Sequence, residues 1–328
     1  MATSNQPTAV ALVCRDLHPV WAAFLRRVAA DTPSFAVFVV MDVASAPLHV
    51  PGDPLDPLTY VTEGDAACRA AGYWGVNVDV IRKTPIAWDK ALHYFCTGPG
   101  RAYERVWFIE DDVFIPTVDT LARIDAAHPH ADIVSRNSES GTDAGGWPWR
   151  LIAGVLPQPW VTSMVCAVRL SRRVLNLVAA HARRHGRLHF LEPLFLTLAT
   201  HAHFLCEPAE ELDRILDPGR ATPLADMVPG AMYHPVKDTG AHDGMRAAIA
   251  AREETVPSPS TPPGTPPASV AYVATSASPQ TPRTPPGGRP EPIGARATLL
   301  VRAVRSARRA VAHLSTRFQR WFVPGGRR

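Results

Sequence analysis

One stretch of the sequence decides how the rest of the chain is interpreted: Val106-Trp-Phe-Ile-Glu110-Asp111-Asp112-Val-Phe-Ile-Pro116. Its first four residues are wholly apolar, which is typical of a strand buried on both faces of a parallel sheet. Three adjacent carboxylates follow, and then a second apolar run. Charges packed in this way are costly unless a cation compensates them, and carboxylate oxygens suit Mg²⁺ or Mn²⁺. The stretch therefore predicts a metal site, with a solvated acidic turn as the alternative.

Strand and helix patterns alternate on both sides of this stretch. The predicted strands are residues 8–14, 35–42, 76–81, 106–109, 133–135 and 162–168. The predicted helices are residues 19–30, 87–95 and 171–185, the last with Ser171 as its N-cap. This alternation predicts an α/β fold, a mostly parallel sheet flanked by helices. Ligands of such sheets bind at the carboxyl ends of the strands.

Composition excludes several classes of protein. The chain has 328 residues, of which 46% are apolar and 20% charged, so wholesale disorder is excluded. Its apolar runs are shorter than a membrane span needs, and its first residues lack the basic region of a secretory signal. The five cysteines form no CxxC pair, which argues against a disulfide framework or a structural zinc site and predicts buried, reduced thiols. The expected location is cytoplasmic, or peripheral on a membrane surface.

The charge of the chain is concentrated in its last quarter. From Thr255 onward there are eleven basic residues and one acid, which leaves about −6 on residues 1–254. Residues 255–296 are rich in Pro, Ser and Thr and predict a disordered linker. Residues 297–328 predict a basic amphipathic helix, with apolar residues at alternating spacings of four and three. Residues 297–322 therefore suit peripheral contact with an anionic membrane; a coiled coil and a nucleic-acid-binding arm are the alternatives.

The acidic turn resembles the DxD-type motif of GT-A glycosyltransferases, in its Glu-Asp-Asp form. The preceding segment, Thr84-Pro-Ile-Ala-Trp88-Asp-Lys90-Ala-Leu-His-Tyr-Phe95, is similar to the helix before that strand in the N-acetylglucosaminyltransferase I group. The resemblance implies a GT-A (Rossmann-like) domain over residues 1–254. It also implies transfer of a hexosyl or N-acetylhexosaminyl group from a nucleotide-diphospho-sugar donor, with Mn²⁺ or Mg²⁺ as the cofactor.

The same resemblance assigns roles to residues of the donor site. It makes Asp112 the direct metal ligand, places Glu110 at the ribose or a metal-bound water, and turns Asp111 toward the sugar. Trp88 and Lys90 line the donor pocket. The alternative for these last two residues is an amphipathic helix with a packed tryptophan and a solvated lysine.

Glu192 is the candidate catalytic base. It is the one acid in the strongly apolar run 188–204, LHFLEPLFLTLATHAHF, where desolvation is expected to raise its pKa. The run resembles the start of the helix that carries the general base in core-2/I-branching and xylosyl transferases. That role implies transfer with inversion at the anomeric carbon. Because Pro193 follows, the alternative is that Glu192 caps a helix.

Two further groups complete the predicted site. His234, in the sequence Tyr-His-Pro-Val-Lys, is a candidate third metal ligand, and Lys237 a candidate contact for the diphosphate, as several GT-A enzymes use such a pair; an ordinary structural histidine is the alternative. Trp147 and Trp149 lie in a Gly/Pro-rich loop that suits stacking on a sugar, or packing over the sheet edge. The acceptor is expected to be a glycan, a protein or a small molecule, and no specific nucleic acid is expected.

Two other functions remain open at this stage. A metal-dependent nucleotidyltransferase or phosphoesterase can use the same acidic turn, with Asp42, after the second predicted strand, as a further carboxylate. A catalytically inactive GT-A-like domain that only binds is the second alternative. Neither a P-loop nor a GxGxxG motif is present, so the sequence does not favour an ATPase or a dinucleotide-binding enzyme.

Overall fold

The computed structural model describes residues 8–42, 56–77, 84–216 and 222–255. These residues belong to the first of two units of the chain, Met1–Ser260; the second, Thr261–Arg328, lies outside the described residues. The predicted linker (255–296, apart from Thr255), the basic helix (297–328) and its membrane contact therefore remain predictions. Within the described ranges, no helix combines the length and the apolar character that a bilayer crossing requires.

The described part of the chain alternates strands and helices much as predicted. The strands are β1 (Thr8–Cys14), β2 (Phe35–Met41), β3 (Leu58–Val61), β4 (Arg105–Glu110), β5 (Ile133–Ser135), β6 (Glu139–Gly141), β7 (Trp160–Thr162), β8 (Ala167–Ser171) and β9 (Cys206–Pro208). The α-helices are α1 (Pro19–Asp31), α2 (Asp65–Ala70), α3 (Ala87–Thr97), α4 (Thr120–Ala127), α5 (Arg172–His185), α6 (Leu191–His201) and α7 (His242–Thr255).

Seven of these strands form one sheet in the order β3-β2-β1-β4-β8-β5-β9. The pairs β1–β2, β1–β4, β2–β3 and β5–β9 are parallel. Strand β8 runs antiparallel to both of its neighbours, β4 and β5. The predicted α/β fold with a mostly parallel sheet is thus confirmed, with β8 as the exception. Strands β6 and β7 form a separate antiparallel pair.

The sheet is the middle of three layers. Alternate residues of β1 face opposite sides: Ala9 and Ala11 join the core that contains residues of α3, α5 and α6, and Val10 and Leu12 join the core that contains residues of α1 and α4. Every residue of β1 is buried, as expected for a central strand with helices on both faces.

Two strand predictions are wrong. The predicted strand 162–168 is two strands, β7 in the small sheet and β8 in the main one, with residues 163–166 between them. Val76 and Asn77, predicted to begin a strand, lie in none. Gly75, with φ +91°, turns the chain there, and the Val76 amide approaches the Asp89 carboxylate at 3.4 Å. The remainder of that predicted strand, 78–81, lies outside the described residues.

The cysteines are all free, as predicted. Four of them are buried, and Cys206 is half-buried. Cys166 is the one with functional interest, because it lies directly before β8 and next to the end of β4.

The connection from α5 to α6 positions the start of α6. Ser171 caps α5 as predicted, its hydroxyl accepting a hydrogen bond from the Val174 amide at 3.3 Å. Gly186, with φ +63°, ends the helix in the left-handed conformation that glycine adopts readily. The chain then returns, and His189 Nδ1 lies 2.9 Å from His181 Nε2. This pair fastens the loop that leads into α6.

The histidine pair predicts a loss of stability in acid. Burial, followed by neighbouring positive groups, lowers the pKa of His181 to about 3 and of His189 to about 4. The unfolded chain therefore binds more protons than the folded chain as the pH falls from about 6.5 toward 3. Each such group contributes up to about 1.4 kcal/mol per pH unit over its own window. Urea unfolding followed between pH 7 and pH 4 should show this decline, and a smaller one in His189→Gln. An equal decline in both proteins would contradict the assignment.

Candidate functional site

The acidic turn lies at the carboxyl end of β4, in the centre of the sheet. Glu110 ends the strand, and its amide donates a hydrogen bond to the Cys166 carbonyl at 2.8 Å. The turn is closed by the Val113 amide, which donates to the Glu110 carbonyl at 3.1 Å. Ile109 and Val113, on either side, are buried. The Asp112 side chain is only 14% exposed, so the turn is not the solvated one that the alternative reading requires.

The segment around residue 234 is joined to this turn by backbone hydrogen bonds. Phe114 and Tyr233 exchange two of them, at 2.8 and 3.0 Å, and the Val236 amide donates to the Asp112 carbonyl at 2.7 Å. These bonds bring His234 and Lys237 to Asp112 across more than a hundred residues of chain.

His234 presents one particular ring nitrogen to Asp112. Its Nδ1 lies 2.7 Å from the Leu216 carbonyl oxygen, and because a carbonyl only accepts, Nδ1 carries the proton. The opposite nitrogen, Nε2, lies 3.5 Å from Asp112 Oδ1. The ring is 4% exposed. A histidine held through one nitrogen by a carbonyl, with the other free to coordinate, is the usual arrangement of a metal-ligating histidine.

The three carboxylates differ in their electrostatic surroundings. Burial alone would raise the pKa of Asp112, but His234 and Lys237 outweigh it and lower that pKa to about 2. Burial, and then the charge of Asp112, raise the pKa of Glu110. Burial, and then the charges of Asp112 and Glu110, raise the pKa of Asp111 to about 6. At neutral pH Asp112 is therefore ionised, and Asp111 is mostly ionised as well.

The residues present fit a divalent cation. Asp112 Oδ1 is buried and makes no hydrogen bond within the described part of the chain. Ligand atoms of Glu110, Cys166 and His234 lie within 4.8 Å of one another. Burial, followed by the charge of Glu110, keeps the pKa of the Cys166 thiol well above its ordinary value, and a thiol is not a ligand that Mn²⁺ or Mg²⁺ prefers. Two carboxylates and an imidazole remain, a set that suits Mn²⁺.

Helix α3 directs its two predicted donor-site residues to different places. Trp88 Nε1 donates a hydrogen bond to Glu110 Oε1 at 2.7 Å, and the indole ring packs on Phe108. Lys90 is fully buried, so the solvated lysine of the alternative reading is wrong. Its Nζ lies 2.8 Å from Asp65 Oδ1 and 3.6 Å from Asp42 Oδ1. Trp88 thus contacts the acidic turn, whereas Lys90 lies with the acids after β2 and at the start of α2.

Glu192 lies at the start of α6. The N-cap of α6 is Phe190, so Glu192 is the second residue of the helix rather than its cap. After burial, the charges of Glu110, Asp112 and Glu192 all raise the pKa of the Cys166 thiol, which places Glu192 within electrostatic reach of the acidic turn.

The Gly/Pro-rich loop carries one exposed tryptophan and one packed tryptophan. Trp147 is 51% exposed, with its ring centre 5.5 Å from that of Phe190 and the Arg150 guanidinium 5.3 Å above it. Trp149 is 8% exposed and belongs to a small apolar cluster. A Cβ on Gly141 would lie 2.1 Å from its ring, so only glycine fits there. Trp147 therefore remains a candidate for stacking on a sugar, whereas Trp149 is a packing residue.

Two contacts of the acidic turn were not predicted. Trp21 Nε1, from α1, donates a hydrogen bond to the Asp111 carbonyl at 2.7 Å. Cys166 reaches the turn because β8 pairs with β4 in the register Ile109↔Ala167. No local pattern in the sequence marks either residue, since both contacts depend on how distant segments pack.

No protein-family model matches the chain, and no curated protein matches it. Among solved structures, an active-site mutant of LgtC gives a TM-score of 0.39 at 13% identity, over 76% of this chain and 97% of that one. The galactosyltransferase LgtC in complex with donor and acceptor sugar analogs gives 0.39 at 11% identity over the same shares. Mouse xyloside xylosyltransferase 1, in its apo form, gives 0.34 at 12%, over 62% and 84%.

These neighbours are glycosyltransferases, but TM-scores below 0.5 do not establish a shared fold or activity. The function proposed next therefore depends on the geometry of the site. The more specific resemblance to N-acetylglucosaminyltransferase I and core-2/I-branching enzymes remains a prediction.

Proposed function

We propose that this chain is a metal-dependent glycosyltransferase that moves a sugar from a nucleotide-diphospho-sugar to an acceptor hydroxyl. The supporting observation is the convergence of Glu110, Asp112, His234 and Lys237 at the carboxyl end of β4, with Glu192 within electrostatic reach. An acidic cation site with a lysine beside it suits a diphosphate, and a separate carboxylate suits proton abstraction.

The donor half of the proposal uses the groups around the turn. Asp112, Glu110 and His234 would hold Mn²⁺ or Mg²⁺. When bound, the cation supplies positive charge that stabilises the leaving diphosphate. Lys237 forms an ion pair with Asp112 Oδ2 and is placed to exchange that partner for a phosphate oxygen. Trp88 fixes the orientation of the Glu110 carboxylate through its indole N–H.

Asp111 and Lys90 complete the donor half of the proposal. Asp111 lies in the turn itself and is proposed to face the sugar of the donor. Lys90 is proposed to line the donor pocket from its position beside Asp42 after β2, since ligands of a parallel sheet bind at that edge.

The acceptor half of the proposal centres on Glu192. This carboxylate would accept the proton of the acceptor hydroxyl as the oxygen attacks the anomeric carbon. A single displacement of this kind inverts the anomeric centre. Trp147, exposed beside Phe190 two residues before Glu192, offers an aromatic face for the acceptor sugar.

The geometry gives less support to a nucleotidyltransferase or phosphoesterase. Such enzymes usually need carboxylates from neighbouring strands around the same cation. Asp42, the residue that the sequence offered for this role, faces the buried Lys90 at 3.6 Å. The remaining alternative, a domain that binds nucleotide-sugars without turnover, is an outcome of the following test.

A panel of nucleotide-sugars tests the proposed function directly. The full chain is incubated with Mn²⁺ and each donor in turn, without an acceptor, and free nucleoside diphosphate is measured. We expect slow hydrolysis of one donor, and its loss when EDTA removes the metal. Donor binding without release would indicate the inactive binding domain. Release of nucleoside monophosphate instead of diphosphate would indicate phosphoesterase or nucleotidyl chemistry.

A further inference from the structure

A second cluster of metal-ligating side chains lies between α2 and α3, formed by residues that the proposed transferase site does not use. Glu63 comes from the segment before α2, Cys68 from α2 and His93 from α3. Ligand atoms of all three lie within 4.8 Å of one another, and His93 Nδ1 is 2.9 Å from Glu63 Oε2. We call these three residues the α2–α3 cluster.

The donor atoms of this cluster select a particular kind of metal. A thiol, an imidazole and a carboxylate together are typical ligands of Zn²⁺ and do not suit Mg²⁺ or Ca²⁺. Bonds of about 2.0–2.3 Å in a tetrahedral site place ligand atoms roughly 3.3–3.8 Å apart. The ligand atoms of the cluster lie at most 4.8 Å apart. A small movement of these side chains would therefore bring them to the distances of a zinc site.

The charge around the cluster favours a dication. Burial raises the pKa of the Cys68 thiol to about 12, and the charges of Glu63, Lys90, Asp89 and Asp65 act on it as well. Three of these groups are acids and one is a base, so an added positive charge is attracted there.

The cluster also has an inner and an outer side. Cys68 is fully buried, whereas the side chains of Glu63 and His93 are 18% and 16% exposed. An ion can therefore enter from solvent past Glu63 and His93 and reach the thiol behind them. The Tyr73 ring packs edge-on against the His93 ring at 5.3 Å, which restricts the orientation of the imidazole.

We propose that Glu63, Cys68 and His93 form a Zn²⁺ site that ties α2 to α3, with three protein ligands and the fourth position left to solvent. Helix α2 has only six residues, too few for a helix to be stable on its own. Coordination of one metal ion by Cys68 of α2 and His93 of α3 would therefore stabilise it. Binding would release the thiol proton as the zinc–sulfur bond forms. The site consists of residues other than those proposed to hold the catalytic metal.

Thermal unfolding of the full chain gives the first test. The protein is stripped with EDTA and Zn²⁺ is added back. We expect one equivalent of Zn²⁺ to raise Tm by roughly 5–10 °C when free zinc exceeds its Kd about 100-fold. Cys68→Ser should lose this rise, and Cys166→Ser should keep it. An equal rise in the wild type and in Cys68→Ser, or no rise in the wild type, would overturn the proposal.

Cobalt spectroscopy identifies the thiol that binds. Co²⁺ in place of Zn²⁺ is expected to give a thiolate-to-metal charge-transfer band that Cys166→Ser retains and Cys68→Ser lacks. The control matters because Cys166 also lies beside a carboxylate and a histidine. Should Cys68→Ser not fold, His93→Gln is measured instead and should weaken the band. A band lost in Cys166→Ser and kept in Cys68→Ser or His93→Gln would refute the site.

Discussion

Asp112→Asn is expected to abolish Mn²⁺-dependent binding of the nucleotide-sugar donor while the chain remains folded. The amide keeps the shape of the side chain but removes the negative charge that faces His234 Nε2 and Lys237. A bound cation contributes several kcal/mol to stabilising the leaving group, so transfer should fall by about 10³-fold or more. Calorimetric titration of donor with and without Mn²⁺ measures the change in binding.

The matched control is Asp119→Asn. Asp119 follows the same apolar segment but is 59% exposed, pairs with Arg123 and accepts a hydrogen bond from the Thr117 hydroxyl at 2.6 Å, so its removal should leave donor binding unchanged. The low pKa of Asp112 adds a stability term that is present at neutral pH and fades as the pH falls toward 2. A modest drop in Tm of Asp112→Asn is therefore expected. Mn²⁺-dependent affinity that survives intact would rule Asp112 out as a ligand.

The strands that the sequence predicted best are short apolar runs with polar segments on both sides. Thr8–Cys14 and Ile133–Ser135 were predicted with their observed bounds. A short apolar run between polar segments is typical of a strand that is buried on both faces of a sheet. The run 162–168 was misread as one strand, because local hydrophobicity does not show that β7 and β8 pair with different partners.

The candidate site was only partly predictable, for a similar reason. Glu110 and Asp112 are adjacent to a buried strand, so their position follows from local pattern alone. His234 reaches Asp112 through backbone hydrogen bonds between distant segments, among them the Phe114–Tyr233 pairing, and the sequence suggested this histidine through a family resemblance rather than through spacing. Cys166 depends on the register of β8 against β4 and carries no local signal. The α2–α3 cluster is formed across 30 residues of chain and was missed in the same way.

Glu192→Gln is expected to lower the rate of transfer by about 10²–10⁴-fold, the usual contribution of a general base, with donor affinity little changed. Glutamine keeps the length of the side chain but does not accept a proton at neutral pH. In the proposed site the donor would be held by groups on β4 and around His234, so its Kd should not follow the loss of rate. Initial rates with a saturating donor, alongside the donor Kd, separate the two effects.

The control for this variant is Glu210→Gln, which removes an exposed acid from the short helical turn Glu210–Leu212. It carries the same change of charge and should transfer at the wild-type rate. Glu192 also lies in the first turn of α6, where a negative charge stabilises the helix by about 0.3–1 kcal/mol, so a small decrease in Tm is expected with Glu192→Gln. A stability role alone would lower Tm and leave the rate per folded molecule intact. That result would end the assignment of Glu192 as the base, whereas a large loss of rate at unchanged donor Kd would support it.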